Sequence, residues 1–145
     1  TKMQETFGND SESLRKLLSG SGYSDQAIMY FLNKSNMGSL PDADQETVLT
    51  GPCGDTMKIY LKLEEGRIKD AKIQVIGCPG AVASAMAAMD FIKGITIKDA
   101  MAIKEGDVFN MLKEIPDQKL HCIQLTIQTI QKAIEEYKSN NENNL

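Results

Sequence analysis

From Thr56 to Leu63 apolar and polar residues alternate without a break, with Met57, Ile59, Leu61 and Leu63 on one face and Lys58, Tyr60 and Lys62 on the other. Side chains of a strand point to opposite faces with period two, so this stretch reads as a half-buried strand. Glu65-Gly66 supplies a tight turn, and Ile68 to Ile76 returns with Ala71, Ile73 and Val75 on one face. The pattern predicts an antiparallel hairpin. Such a hairpin brings its two outer ends to the same edge, so whatever precedes Thr56 meets whatever follows Ile76. Two of the three cysteines of the chain lie at those two ends: Cys53 in Gly51-Pro52-Cys53-Gly54-Asp55, and Cys78 in Ile76-Gly77-Cys78-Pro79-Gly80.

The rest of the pattern places helices against that hairpin. Glu46 to Thr50 adds a third strand. Asp10 or Ser11 caps a short helix carrying Leu14, Leu17 and Leu18, broken by Gly20-Ser21-Gly22. Ser24 caps a second, with Ala27, Ile28, Phe31 and Leu32 on one face. Ala81 to Lys93 is helical and closed by Gly94, Thr96 to Ile103 is a short helix, and Asp107 caps another running to about Lys113. After Pro116 a long helix carries Ile123, Ile127, Ile130, Ile134 and Tyr137 as its core stripe. Strands followed by helices, without alternation, predict an α+β domain: a small antiparallel three-stranded sheet with helices on one face. The expected organisation is a polar leader over residues 1–22, a main domain over 23–138 and a disordered Asn-rich tail over 139–145.

Composition excludes several classes of function. A net charge of -4 opposes binding along a phosphate backbone, and a chain without Trp offers little for bases to stack on, so no nucleic acid partner is expected. No stretch approaches the roughly 18 apolar residues needed to span a bilayer. The first twenty residues, polar and mixed in charge, resemble neither a signal nor a transit peptide. Three cysteines cannot all pair within one chain, which favours a reducing compartment such as the cytoplasm.

The third cysteine adjoins the only histidine, in Lys119-Leu120-His121-Cys122. It falls at the start of the last helix, whose partial positive charge favours a thiolate. None of the three cysteines falls on a core position of the strand and helix patterns. Three thiolates suit zinc or iron bound to sulfide and leave one position for a harder ligand, for which Asp55 and His121 are both candidates. Gly54, Gly77 and Gly80 let the backbone approach such a site. A Cys–His hydrolase is disfavoured, because adjacent helical residues point about 100° apart and no Asn or Asp placed to orient the base is evident.

The motifs Asn36-Met37-Gly38-Ser39-Leu40, Cys53-Gly54-Asp55, Gly77-Cys78, Ile92-Lys93-Gly94 and Lys119-Leu120-His121-Cys122, in that order, resemble the U-type iron–sulfur scaffold family, IscU and the N-terminal domain of NifU. The resemblance runs from about Tyr23 to Tyr137. It implies a scaffold or carrier rather than an enzyme. Such a protein takes persulfide sulfur from a cysteine desulfurase, takes up iron, builds a transient [2Fe–2S] cluster and hands it to apo acceptor proteins or carriers. By the same resemblance Cys53, Cys78 and Cys122 are the cluster ligands, Asp55 and His121 the variable fourth ligand, and Lys119 a residue beside the site. Zinc is implied for the cluster-free form, and the state is either monomer or dimer. His121 and the short Cys78–Cys122 spacing favour the IscU type over the SufU type. Where many IscU proteins carry Leu-Pro-Pro-Val-Lys for a chaperone pair, this chain has Ile115-Pro116-Asp117-Gln118-Lys119, so weak chaperone recognition is expected. The competing readings are a structural zinc protein and a cluster-free persulfide sulfur-transfer protein.

Overall fold

The computed structural model describes residues 12–143. Three antiparallel strands, β1 (Gln45–Thr50), β2 (Thr56–Glu64) and β3 (Arg67–Ile76), form a sheet in the order β1-β2-β3. The turn between β2 and β3 places both Glu65 (φ 52°) and Gly66 (φ 77°) in the left-handed region. That conformation matches the twist of a two-residue hairpin. Register is as the alternation requires: Thr56 faces Ile76, Met57 faces Val75 and Ile59 faces Ile73, with one bulge between Lys62 and Leu63. Met57, Ile59 and Leu61 are fully buried beneath the sheet. Tyr60, expected to point outward, does lie on the opposite face but is nearly buried, its hydroxyl donating to Gln74 and Lys58 lying 5.2 Å over its ring.

Two helices precede the sheet, α1 over residues 12–20 and α2 (Asp25–Leu32), and α3 (Pro79–Ile92), α4 (Ile97–Met101), α5 (Glu105–Leu112), a 3-10 turn (Asp117–Lys119) and α6 (Leu120–Asn143) follow it. The proposed cap of α1 at Asp10 or Ser11 lies outside the described residues. Ser24 caps α2, accepting from the Ala27 amide at 3.0 Å. Asp107 is not the cap of α5. It sits one turn inside, and its carboxylate accepts from the amide of the true N-cap, Lys104, at 2.9 Å. A carboxylate one turn in can serve the same orphan amide, which is why the sequence placed the start too late. The last helix does not break at Ser139 but runs to Asn143, with Asn141 Nδ2 donating to the Tyr137 carbonyl. An Asn side chain can satisfy the backbone of the preceding turn, so Asn-rich sequence does not by itself end a helix.

α3 is the hub. Eleven of its fourteen residues are buried, most of them Ala and Met, because α2, α5, α6 and β3 all pack on it. α6 lies under β1 and β2, so the helices cover one face of the sheet as expected. The sheet edges are occupied. The backbone of Asn36 and Gly38 pairs with Ile73 on the outer edge of β3, and Lys132 Nζ donates to the Val48 carbonyl on β1. Among the described residues, no helix is long and apolar enough to cross a membrane.

Candidate metal centre

The hairpin delivers its two loops to one place. Thr56 pairs with Ile76, so the segments just outside them, Gly51–Asp55 and Gly77–Cys78, stand side by side. The first closes on itself through Gly54 N–H to the Gly51 carbonyl and Gly51 N–H to the Asp55 carbonyl, at 3.0 and 2.8 Å. Gly54 has φ +87°, a conformation that a side chain would strain. Cys78 is the N-cap of α3, with Pro79 at the first helical position. The first turn of α6 arrives from the other side and carries His121 and Cys122.

Four of the five residues expected at the site converge. Ligand atoms of Asp55, His121 and Cys122 lie within 4.8 Å of one another. Cys78 Sγ is 3.6 Å from Cys122 Sγ and 3.9 Å from Asp55 Oδ2. Two thiolates bound to one tetrahedral zinc at about 2.3 Å stand about 3.8 Å apart, so the sulfur pair is already spaced for a shared ion. Cys53 takes no part in these contacts, and its side chain is exposed on the Gly51–Asp55 loop. Cys122 was expected off the core, yet it is wholly buried within it. The sequence misled because a small thiol in the first turn of a helix leaves no mark in the apolar periodicity.

His121 Nε2 also comes within 3.7 Å of Cys122 Sγ, contrary to the expectation from adjacent helical positions. With Asp55 in the same group, a Cys–His–carboxylate arrangement does exist. Its thiol is not accessible as a nucleophile, since Cys122 has no exposed surface from which to reach a substrate carbonyl.

One proton serves the sulfur pair. Cys78 is drawn down to about 5, first by the hydrogen bond from Cys122, helped by the Ala81 amide and the Lys119 charge and opposed by burial and Asp55. Cys122 is pushed up by the same bond, then by burial and the charge of Cys78. A thiolate beside a carboxylate is a repulsive contact that a cation would relieve. In metal-free protein the alkylation rate of Cys78 should therefore change little between pH about 6 and 8. A rate climbing tenfold per pH unit across that range would contradict the shared proton.

Two supporting residues show their roles in the space they leave. A Cβ on Gly77 would lie 2.9 Å from Asp55 Cγ and Oδ1, and one on Gly80 would lie 3.1 Å from Lys119 Cβ and 3.3 Å from the Tyr23 hydroxyl. Gly77 thus admits Asp55, and Gly80 admits Lys119 and Tyr23. Gly77→Ala should displace Asp55 and weaken zinc binding by about tenfold or more, at little cost to thermal stability. Chelator competition would show it, and unchanged affinity would contradict the role. Tyr23 entered the sequence reading only as a boundary. The structure buries it beside the thiols, and burial first, then the charges of Cys78 and Cys122, raise its hydroxyl to about 12. A lone Tyr ahead of a helix cap gives no sequence signal of such a position.

Residues 22–144 match the family model of the NifU-like N terminal domain. The chain belongs to the IscU/NifU family. It is 39% identical over 116 residues to iron-sulfur cluster assembly scaffold protein IscU 1 of Archaeoglobus fulgidus, covering 79% of this chain and 76% of the relative. It is 38% identical over 126 residues to the IscU of Escherichia coli K12, covering 83% of this chain and 97% of that protein. The crystal structure of a NifU-like N-terminal protein from Brucella abortus superimposes with TM-score 0.65 at 21% identity, covering 80% of this chain and 94% of that one. A scaffold for the SUF system from Fervidobacterium islandicum gives 0.62 at 22%, covering 77% and 96%. Identities this low speak for the fold alone.

Proposed function

We propose that this IscU/NifU family member is a scaffold on which a [2Fe–2S] cluster is assembled from iron and desulfurase-derived sulfur and then handed to apo acceptor proteins. The observation that carries the reading is the convergence of Asp55, Cys78, His121 and Cys122 at the open end of the hairpin, with the exposed Cys53 on the adjoining loop. Structural zinc sites are normally built from Cys and His alone, whereas this donor set includes a carboxylate and leaves one cysteine outside. Such a set holds iron–sulfide cargo less firmly than four thiolates, which suits a protein that must release it. Asp55, Cys78, His121 and Cys122 hold zinc or the first iron. Cys53 completes the three-thiolate set when its loop folds over. Lys119, against Gly80, supplies positive charge beside the thiols.

The partners proposed are a cysteine desulfurase and apo iron–sulfur proteins or carriers, in a reducing compartment such as the cytoplasm. A chaperone pair contributes little. Asp117 puts a charge into the segment such a chaperone would read, and Asp117–Lys119 form a 3-10 turn rather than an extended strand.

Anaerobic incubation with iron, cysteine and a desulfurase tests the reading. Visible absorption of a [2Fe–2S] centre with equal iron and sulfide is expected. Retention of zinc alone, with unfolding on its removal, would establish the structural-zinc alternative. Asp55→Ala should still form cluster but transfer it more slowly, on the order of tenfold, since the harder and more exchangeable ligand is lost. Unchanged transfer kinetics and zinc affinity would leave Asp55 as a turn residue only.

A further inference from the structure

Sulfur delivered as a persulfide is two electrons short of the sulfide a cluster contains. We propose that Cys78 and Cys122 supply those electrons themselves, Cys122 acting as a resolving thiol that releases hydrosulfide from a Cys78 persulfide. The inference rests on the scaffold reading and adds an activity to the same site.

The geometry is that of a persulfide acceptor with a resolving partner. Cys78 is half-exposed and can take the outer sulfur from a persulfide or polysulfide donor, whereas Cys122 has no exposed surface. External thiols and electrophiles therefore reach Cys78 but not Cys122, and what Cys122 meets is the sulfur of Cys78 at 3.6 Å. A disulfide needs the two sulfurs at about 2.05 Å, an approach of about 1.6 Å. Cys78 caps one helix and Cys122 lies in the first turn of another, so both stand at helix starts. His121 Nε2, 3.7 Å from Cys122 Sγ, is placed to take the thiol proton.

The step balances without another reactant. Cys122 sulfur attacks Cys78 Sγ, the Sγ–Sγ bond forms, and the bond from Cys78 Sγ to the outer sulfur breaks with its electron pair going to that sulfur. The outer sulfur leaves as hydrosulfide, carrying the proton that Cys122 gave up. It is reduced by two electrons, and the two cysteine sulfurs are oxidised to the disulfide. One sulfide is released per chain, after which a dithiol reductant must reopen the disulfide before Cys78 and Cys122 can bind iron.

The test uses the metal-free full chain, treated anaerobically with inorganic polysulfide, desalted at once, and followed without iron or thiol. Released sulfide and the Cys78–Cys122 disulfide should appear together, one to one, at a rate independent of protein concentration, and then stop. Adding dithiothreitol and fresh polysulfide should restart release. Cys122→Ser should retain an alkylatable persulfide on Cys78 and release at least tenfold less sulfide. A Cys122→Ser variant that releases sulfide as fast as the unaltered chain, or a persulfide that persists without the disulfide, would overturn the proposal. Reconstitution of the same samples with iron and inorganic sulfide separates the two claims. Cluster formed there, with no internal sulfide release, removes this step and leaves the scaffold. No cluster from either source removes the scaffold reading itself.

Discussion

Cys53→Ser and Cys122→Ser should both lose cluster assembly, and yet differ in zinc. Serine keeps the size of cysteine but gives up the soft thiolate that iron–sulfide chemistry requires, so each single variant should form less than about a tenth of the normal cluster. Cys122 is buried with Cys78, Asp55 and His121 around it, and its loss should weaken zinc binding by about 100-fold or more. Cys53 lies outside those contacts on the exposed loop, so its loss should leave zinc affinity within about threefold of the unaltered chain. Zinc titration against a chromogenic chelator, beside reconstitution of each variant, measures both. Equal loss of zinc affinity in the two variants would mean that Cys53 belongs to the metal site at all times. Normal cluster in both would remove the shared site.

A large effect on stability away from the site is expected at Asn36. Its side-chain amide donates to the Met86 carbonyl at 3.0 Å and to Asp90 at 2.8 Å, and its oxygen accepts from Lys93. Its backbone carbonyl accepts from Ile73, so one almost fully buried residue fastens the 36–38 segment to both α3 and β3. Asn36→Leu fills a similar volume but leaves the Met86 carbonyl, Asp90 and Lys93 without that partner. The cost should be about 2–3 kcal/mol, a melting temperature lower by roughly 5–10 °C. Asp70→Asn, which removes only the exposed 3.9 Å contact with Lys93, should cost under about 1 kcal/mol. A neutral Asn36→Leu would show that the network contributes no more than an apolar contact. Zinc binding by the refolded variant should be unchanged, because none of these groups reaches the thiols.

The legible part of the fold was the part set by local rules. Strand alternation fixed both faces of β2 and β3, whereas the Glu65-Gly66 turn set only the pairs next to it; the bulge between Lys62 and Leu63 shifts the register so that Thr56 faces Ile76 and Asp55 comes beside Cys78. The start of α2 was legible because Ser24 marked it, whereas the starts were placed too late at α3, which begins at Pro79 rather than Ala81, and at α5, where Asp107 serves the cap from inside. The candidate ligands stood out as residue types next to glycines and to the one histidine. Their state did not. The burial of Cys122 and the reach of the His121 ring depend on how α6 crosses the end of the sheet, which no local spacing encodes. The roles of Tyr23 and Asn36 are likewise tertiary, since each acts on elements far along the chain.

Transfer is the property that separates a scaffold from a protein that keeps its cluster. The most direct measurement loads the protein anaerobically, mixes it with an apo-ferredoxin, and follows the circular dichroism of both clusters in the presence of an iron chelator. The account predicts that the ferredoxin gains its cluster as the scaffold loses its own, with the chelator capturing little iron. A cluster that stays on this chain, or whose iron passes to the chelator before any reaches the ferredoxin, would contradict it.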